Sequence, residues 1–358
     1  MHFIRTFYDN LLKVQHPVTA RLSAPQQSGD AQLKQTVLNE NMRTMKEKGG
    51  NAYLIRIRTT LKVKEEARRV GSRITVHLPI PCAGTQVRNI QLISVPSGAF
   101  ASPEDFESRT VCFQGTLEKD SEFTVEYQYE NHLAYISPDP EKVEAVQPGF
   151  FLEEQAPHIM FTPYIRSLYR EVVGDETNPL LKAKKIYEYI TSNIRYSYVR
   201  KYSIIENIPE YAGINQKGDC GIQALLFITL CRYGGVPARW QSGLFAAPYD
   251  IGGHDWAQFY IAPYGWLHAD LSFGGSAFRA GDEERRKFYF CNLDPFRMVA
   301  NTEFQAPLLP EKKGLRADPY DNQVGECEIE GVGLYTTQFE YFHQMIDIHP
   351  VPCDFPEE

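Results

Sequence analysis

Three side chains suited to acyl transfer stand far apart in the chain, namely Cys220, His254 and Asp270. Cys220 follows Asp219 and precedes an almost unbroken apolar run through Leu230, which predicts a helix with Asp219 as its N-cap and Cys220 in its first turn. The free N–H groups and the positive dipole end of a helix favour the thiolate, which is the attacking form. The charge of Asp219 opposes that effect, so we expect a second group to activate the sulfur.

His254 is the expected activator, because an imidazolium beside the sulfur stabilises the thiolate and can protonate the leaving group. Residues 254–261 and 266–272 have the composition of strands, and Ala-Pro-Tyr-Gly at 262–265 predicts the turn between them. A hairpin centred near Ala262 sets His254 opposite Asp270 on one face, where the carboxylate can orient the imidazole. The spacing therefore fits a Cys-His-Asp triad.

Separated sequence blocks around these residues resemble the transglutaminase-like superfamily, which includes cysteine proteases, transglutaminases and peptide N-glycanases. The blocks are residues 218–220 (Gly-Asp-Cys), 235–240 (Gly-Val-Pro-Ala-Arg-Trp), 254–260 (His-Asp-Trp-Ala-Gln-Phe-Tyr) and 265–270 (Gly-Trp-Leu-His-Ala-Asp). They occur in the order of the family and span about residues 180–275.

This resemblance implies a papain-like core in which Cys220 is the nucleophile, His254 the general base and acid, and Asp270 the orienting carboxylate. It also implies a peptide or other amide substrate, a thioester intermediate and no metal or cofactor. Many members of the family continue after the aspartate with Pro or Ala and then Thr, whereas Leu-Ser-Phe-Gly follows here at 271–274. That departure leaves the substrate class open.

The long connection at residues 196–218, directly before the nucleophile, offers donors for the developing oxyanion beside the backbone N–H of Cys220. The candidate oxyanion or substrate residues are Gln216, Tyr202, Tyr211 and Trp256, with Tyr196, Tyr198 and Asn215 also available. Each can equally be a packing residue, and the sequence does not choose among them.

Other roles for the same residues are possible. Cys220, His254, His268 and Asp270 are acceptable zinc ligands, although they lack a short ligand spacing. Asp255 is an alternative orienting residue, but it neighbours His254 on a strand and should point to the opposite face. A non-catalytic protein that binds a peptide or glycopeptide in the same groove is the alternative function.

Composition limits the class of protein. The 358 residues have a net charge of −8, with 43% hydrophobic and 23% charged residues, which is typical of globular chains and does not favour nucleic acid as a partner. No run reaches membrane-spanning length. The seven cysteines lack a CxxC pair, and the first residues lack the apolar core of a signal peptide, so we expect a cytoplasmic protein.

The overall prediction is an α+β protein, with an N-terminal antiparallel β-sandwich followed by a transglutaminase core in which the helix carrying Cys220 packs on an antiparallel sheet. Alternating apolar residues within 51–136 predict the sandwich, and residues 333–348 are further strand material able to join either sheet. The predicted segments are 1–50 (arm and helix), 51–136 (sandwich), 137–160 (linker), 161–300 (catalytic domain) and 301–358 (C-terminal extension).

Overall fold

The computed structural model describes residues 28–353 and 355, with side chains described from residue 32. The predicted arm therefore lies mostly outside the described residues. By their contacts, the described residues divide into two units after Glu40, and the finer domain boundaries stay predictions. Among the described helices, none is long and apolar enough to cross a membrane.

Polar N-cap residues start the helices where the sequence changes from turn to apolar pattern. The helices are α1 (Ser28–Lys48), α2 (Pro163–Val173), α3 (Pro179–Asn193), α4 (Ile208–Asn215), α5 (Cys220–Tyr233), α6 (Leu271–Arg279) and α7 (Glu283–Phe288). Asn178 accepts from the N–H groups of Leu180 and Leu181 at the start of α3, and Asp219 accepts from Ile222 at the start of α5. Such caps satisfy N–H groups that have no partner inside the helix.

Strands occupy the regions between and around these helices. They are β1 (Gly50–Val63), β2 (Arg73–Pro79), β3 (Val87–Ser94), β4 (Phe100–Ala101), β5 (Thr110–Thr116), β6 (Phe123–Ala134), β7 (Arg195–Tyr196), β8 (Lys217–Gly218), β9 (Ala238–Ala247), β10 (Asp250–Ile261), β11 (Gly265–Ala269), β12 (Phe290–Cys291), β13 (Arg297–Asn301), β14 (Glu326–Ile329), β15 (Val332–Gly333) and β16 (Phe339–Pro350).

The N-terminal strands form two antiparallel sheets that both take strands from the far end of the chain. The first sheet has the order β16-β1-β6-β3 and the second β15-β14-β2-β5-β4. Phe113 of β5 and Phe123 of β6 join the two sheets, with ring centroids 5.0 Å apart. Residues 51–136 thus do not complete these sheets alone, because the predicted C-terminal extension supplies β14, β15 and β16.

A separate antiparallel sheet with the order β12-β11-β10-β9-β13 carries the catalytic candidates. Helix α5 packs on it, and Phe227 of α5 contacts Phe259 of β10 with ring centroids 5.6 Å apart. Almost every residue of α5 is buried, as its all-round apolar sequence predicts. Each fully buried Leu or Ile stabilises such packing by about 1.5–3 kcal/mol.

The stretch at 137–160 follows the surface of this sheet and its helices. The N–H of Glu144 donates to the carbonyl of Ala262, and the N–H of Ala238 donates to the carbonyl of Phe151. Arg232 of α5 donates to the carbonyl of Glu153 at 3.0 Å. These hydrogen bonds hold the stretch against the core, although most of its residues belong to neither a helix nor a strand.

Two predictions of secondary structure were wrong. The strand expected at 266–272 ends at Ala269, because Asp270 caps α6 by accepting from the N–H of Phe273. The connection at 196–218 contains α4, which begins after Asn207 and has Pro209 in its first turn. An Asn cap followed by an early proline is a helix-start signal, so this helix was visible in the sequence.

Candidate active site

Cys220 lies in the first turn of α5, as predicted. The carboxylate of Asp219 accepts from the N–H of Ile222 at 3.2 Å and closes the turn. Tyr202, from the connection before α5, donates its hydroxyl hydrogen to the same carboxylate. The cap therefore fixes the start of the helix while placing a negative charge one residue before the sulfur.

The sulfur of Cys220 contacts Asp255 of β10. Its thiol donates to Oδ2 of Asp255 across 3.1 Å, and the backbone N–H of Asp255 also contacts the sulfur. The hydroxyl of Tyr196 is a further hydrogen-bonding neighbour. The alternation along the strand predicts that Asp255 points to the face opposite His254, and it does so in the structure. On that face its carboxyl group contacts the sulfur.

The electrostatic surroundings of Cys220 favour the protonated thiol. Burial raises the pKa of Cys220 well above its ordinary value, and the charges of Asp255 and Asp219 raise it further. Burial also raises the pKa of Asp219 to about 6. The pKa of Asp255 is likewise raised well above its usual range by burial and by the nearby carboxylate of Asp321. Burial and then the two carboxylates therefore favour the thiol in this arrangement, whereas the helix dipole alone would favour a thiolate.

His254 forms the predicted pair with Asp270. Its Nε2 donates to Oδ2 of Asp270 across 2.7 Å, and both side chains are buried. The imidazole packs against the ring of Phe273, with centroids 4.9 Å apart. Because Nε2 is held by the carboxylate, Nδ1 is the nitrogen left for a reacting group.

Arg297 of β13 supports the carboxylate. Its Nη2 lies 3.0 Å from Oδ2 of Asp270 and 2.9 Å from Oδ2 of Asp294, and all three side chains are buried. Burial opposes ionisation of Asp270, but His254 and Arg297 outweigh it and lower its pKa to about 2. The pKa of Arg297 is raised because the attraction of Asp294 and Asp270 exceeds the penalty of burial. Asp270 is therefore a carboxylate at neutral pH.

The register of the hairpin differs from the prediction by two residues. Tyr260 pairs with Trp266 and Ile261 with Gly265, so the turn centres on Pro263 instead of Ala262. His254 itself pairs with Gly243 of β9. Its side chain still reaches Asp270 because a shift of two residues preserves the face.

The expected hydrogen bond between Cys220 and His254 is not formed in this conformation. Residues 250–259 pair with β9 without a bulge, so His254 and Asp255 point to opposite faces of β10. The sulfur contacts Asp255 and the imidazole contacts Asp270. The structure thus brings together two of the three predicted catalytic side chains, His254 and Asp270, and places Cys220 next to Asp255.

The oxyanion and substrate candidates occupy different places. Tyr202 lies close to the start of α5, because a Cβ added to Gly221 would meet its hydroxyl at 2.5 Å. Trp256 is buried and donates to Gln241 at 2.7 Å. Gln216 is an exposed left-handed residue that ends α4, and the ring of Tyr211 lies under Arg200. Of the four candidates, Tyr202 contacts Asp219, the residue directly before Cys220.

The residues weighed as zinc ligands have separate partners. Nε2 of His268 lies 3.1 Å from the amide of Gln258 and 3.0 Å from that of Gln86, and burial lowers the pKa of His268 to about 3. Within the described residues, no group of three or more His, Cys, Asp or Glu side chains has the arrangement of a metal site.

The sequence reasoning missed two residues that contact the candidate site from the C-terminal third of the chain. Gln323 donates its amide hydrogens to Oδ1 of Asp255 and to Oδ2 of Asp321, and Arg297 holds Asp270. Neither belongs to a recognisable motif. The one available signal was that a buried Asp270 requires a cationic or hydrogen-bonding partner.

Comparison with known protein families supports the resemblance. The model described as Transglutaminase-like superfamily matches residues 166–271, a range that contains Cys220, His254 and Asp270. The resemblance to this superfamily is thereby confirmed for that part of the chain. No curated protein gives a significant match.

Two solved structures are similar at low identity. A "Putative Cysteine Protease" from Cytophaga hutchinsonii is 16% identical, with a TM-score of 0.47, covering 86% of this chain and 93% of that one. The periplasmic domain of TgpA from Pseudomonas aeruginosa is 12% identical, with a TM-score of 0.35, covering 69% and 96%. Similarity at this level carries no information about the activity of this chain.

Proposed function

We propose that this protein is a cysteine-dependent amide hydrolase or acyltransferase that acts on a peptide or related amide. Cys220 is the nucleophile, and His254, oriented by Asp270, is the general base and acid. The observation that carries the proposal is the buried hydrogen bond of 2.7 Å between His254 and Asp270. The thiol of Cys220 also lies against the strand that carries His254, because it contacts Asp255.

The reaction follows from the two nitrogens of the imidazole. Nδ1 of His254 takes the thiol proton, and the sulfur of Cys220 bonds to the amide carbon. The imidazolium then protonates the leaving amine as the carbon–nitrogen bond breaks, which leaves a thioester. His254 next deprotonates water, which attacks the thioester and releases the acid and the thiol. If a second amine attacks in place of water, the same thioester gives a new amide, and hydrolysis is the default because water is abundant.

This mechanism requires the sulfur to leave Asp255. In the structure the thiol donates to that carboxylate, and Nδ1 of His254 has no hydrogen-bond partner recorded among the described residues. We therefore treat the conformation as a resting state, in which the nucleophile is a thiol. Bringing the sulfur to Nδ1 would require a backbone movement of the first turn of α5 or of the start of β10, because rotation of the Cys220 side chain alone does not carry the sulfur to the other face of the strand.

The test is the rate of alkylation of Cys220 by iodoacetamide as a function of pH, with modified sites identified by mass. An imidazolium partner gives a reactive thiolate at about pH 6, below the range of an isolated thiol. We expect Cys220 labelling at that pH in the presence of substrate peptides, and a loss of about tenfold or more in His254→Ala. His349→Ala is the matched control, because His349 is an exposed histidine on β16.

One outcome would contradict the proposed role of His254. If His254→Ala and His349→Ala label Cys220 at the same rate at every pH, the histidine does not activate the sulfur. Cys353, which is also partly exposed, provides an internal reference rate in each sample. Peptide amides assayed with and without hydroxylamine, with Cys220→Ala as the blank, then distinguish hydrolysis from acyl transfer.

A second candidate function is non-catalytic binding of a peptide or glycopeptide in the same groove. It is favoured by one observation, namely that burial and the surrounding carboxylates raise the pKa of Cys220. This candidate predicts that peptide binding leaves Cys220 labelling at about pH 6 as slow as in the free protein. It also predicts that Cys220→Ala binds peptide with unchanged affinity and that no amide is cleaved.

A further inference from the structure

The side chain of Asp255 is held at both oxygens. Oδ2 accepts from the thiol of Cys220 at 3.1 Å, and Oδ1 accepts from the amide of Gln323. The same amide donates to Oδ2 of Asp321 at 2.8 Å. The carboxylate next to the sulfur is therefore fixed by a residue 68 positions further along the chain.

A glycine in β10 allows Gln323 to reach this position. A Cβ built on Gly253 would lie 2.2 Å from Oε1 of Gln323, which is well inside van der Waals contact. Gln323 therefore lies directly against the strand two residues before Asp255. The neighbouring Gly252 is less restricted, since its Cβ would meet the ring of Phe245 at 3.1 Å.

Acidic groups and hydroxyls face the sulfur from the packed elements. Asp219 approaches the sulfur from the start of α5 and Asp255 approaches it from β10, while Asp321, in the loop before β14, faces Asp255. Tyr196 and Tyr202 approach from the connection before α5. Among the described residues, no Lys, Arg or His forms an ion pair with Asp219, Asp255 or Asp321. Burial and the neighbouring acidic groups therefore disfavour a negative charge on the sulfur.

We propose that Asp255, held by Gln323, is a positioning residue that keeps the Cys220 side chain in a resting, thiol-bearing position until substrate displaces it. The inference rests on the proposed function and adds a role that the Cys-His-Asp triad lacks. Its consequence is that the free protein protects its nucleophile from alkylation and oxidation. Gln323 becomes part of this restraint although it lies outside the matched segment of the chain.

The test measures alkylation of Cys220 in the free protein, where no substrate identity is needed. Asp255→Asn keeps the shape of the side chain, removes the carboxyl group that accepts from the thiol and can present an amide donor to the sulfur. We expect Cys220 of this variant to label about tenfold faster at neutral pH, with the midpoint of the pH profile moved about one unit lower. Asp250→Asn, an exposed aspartate of the same strand, should label like the wild type.

A milder variant tests the role of Gln323. Gly253→Ala displaces the end of the flexible Gln323 side chain and leaves Asp255 in place, whereas Gly252→Ala is the matched control. We expect labelling about threefold faster in Gly253→Ala than in Gly252→Ala, because a loosened carboxylate holds the thiol less well. This pair keeps the test valid if Asp255→Asn fails to fold. Equal rates in both pairs of variants, or slower labelling in Asp255→Asn, would overturn the proposal.

The double variant Asp255→Asn with His254→Ala separates this inference from the proposed function. Faster labelling that persists without His254 supports the restraint by Asp255 whether or not His254 is catalytic. A pH profile measured in the presence of substrate peptides that does not respond to His254→Ala contradicts the proposed function alone. Unchanged labelling in Asp255→Asn contradicts the restraint alone.

Discussion

The two faces of strand β10 provide opposite surroundings for consecutive residues. On one face, Asp255 and Asp219 lie beside the thiol, no cation of the described part of the chain forms an ion pair with them, and the charged forms are disfavoured. On the other face, Asp270 lies between His254 and Arg297, and its charged form is favoured. Residues adjacent in sequence thus differ in the protonation state that the fold stabilises, because a strand sends them to different neighbours.

This difference gives the two carboxylates opposite effects on stability. The charge of Asp270 stabilises the folded state, since its pKa is lowered to about 2. The charge of Asp219 destabilises the folded state, since burial raises its pKa to about 6. Substitutions on the two faces should therefore change the free energy of unfolding in opposite directions.

The largest effect is expected from Arg297→Met. This change leaves Asp270 and Asp294 buried without their cation, and breaking a buried pair typically costs about 3–5 kcal/mol. Arg285→Met is the control, because the pair of Arg285 with Asp282 is partly exposed and should contribute about 1 kcal/mol or less. Urea unfolding at neutral pH measures both. Equal losses in the two variants would contradict the central role given to Arg297.

Asp270→Asn should have the next largest effect. The lowered pKa of Asp270 means that its stabilisation is complete above its ordinary value of 3.8 and is lost as the pH falls through about 2. We expect the variant to be about 2 kcal/mol less stable at neutral pH, with the gap closing in that acid window. Asn still caps α6 well, so the loss reports the charge. A gap that does not change with pH would show that the cap or packing is responsible.

Asp219→Asn should have the smallest effect and the opposite sign. The raised pKa of Asp219 means that stability is complete below the ordinary value of 3.8 and is lost as the pH rises through about 6. Removing the charge should stabilise the protein by about 1–2 kcal/mol at neutral pH and leave it unchanged at about pH 3. Thermal unfolding at the two pH values measures this difference. A variant that is less stable at neutral pH would contradict the electrostatic comparison.

Local signals made the main elements of the fold predictable. Asp219 before an apolar run marked α5, and Asn178 followed by proline marked α3, because caps and helical periodicity are properties of neighbouring residues. The spacing of His254 and Asp270 predicted their shared face, since alternation along a strand depends only on residue number. The same locality explains why the hairpin register was wrong by two residues.

Long-range contacts explain what the sequence did not reveal. Nothing near Asp255 indicated that Gln323 would bind it, and nothing near Asp270 indicated Arg297, because each partner comes from a distant segment. The sequence did not show which strands β14 and β16 pair with. In the structure β14 pairs with β2 and β16 pairs with β1. The motif spacing therefore predicted the contact between His254 and Asp270 but not the contact between Cys220 and Asp255.

The most direct measurement is a crystal structure of the protein with Cys220 trapped covalently by a peptide chloromethyl ketone. The account predicts that the sulfur has left Asp255 and that Nδ1 of His254 lies within about 4 Å of it, with Nε2 still bonded to Asp270. If the trapped sulfur stays on the Asp255 side of the strand and the imidazole remains turned away, His254 cannot be the base that activates Cys220.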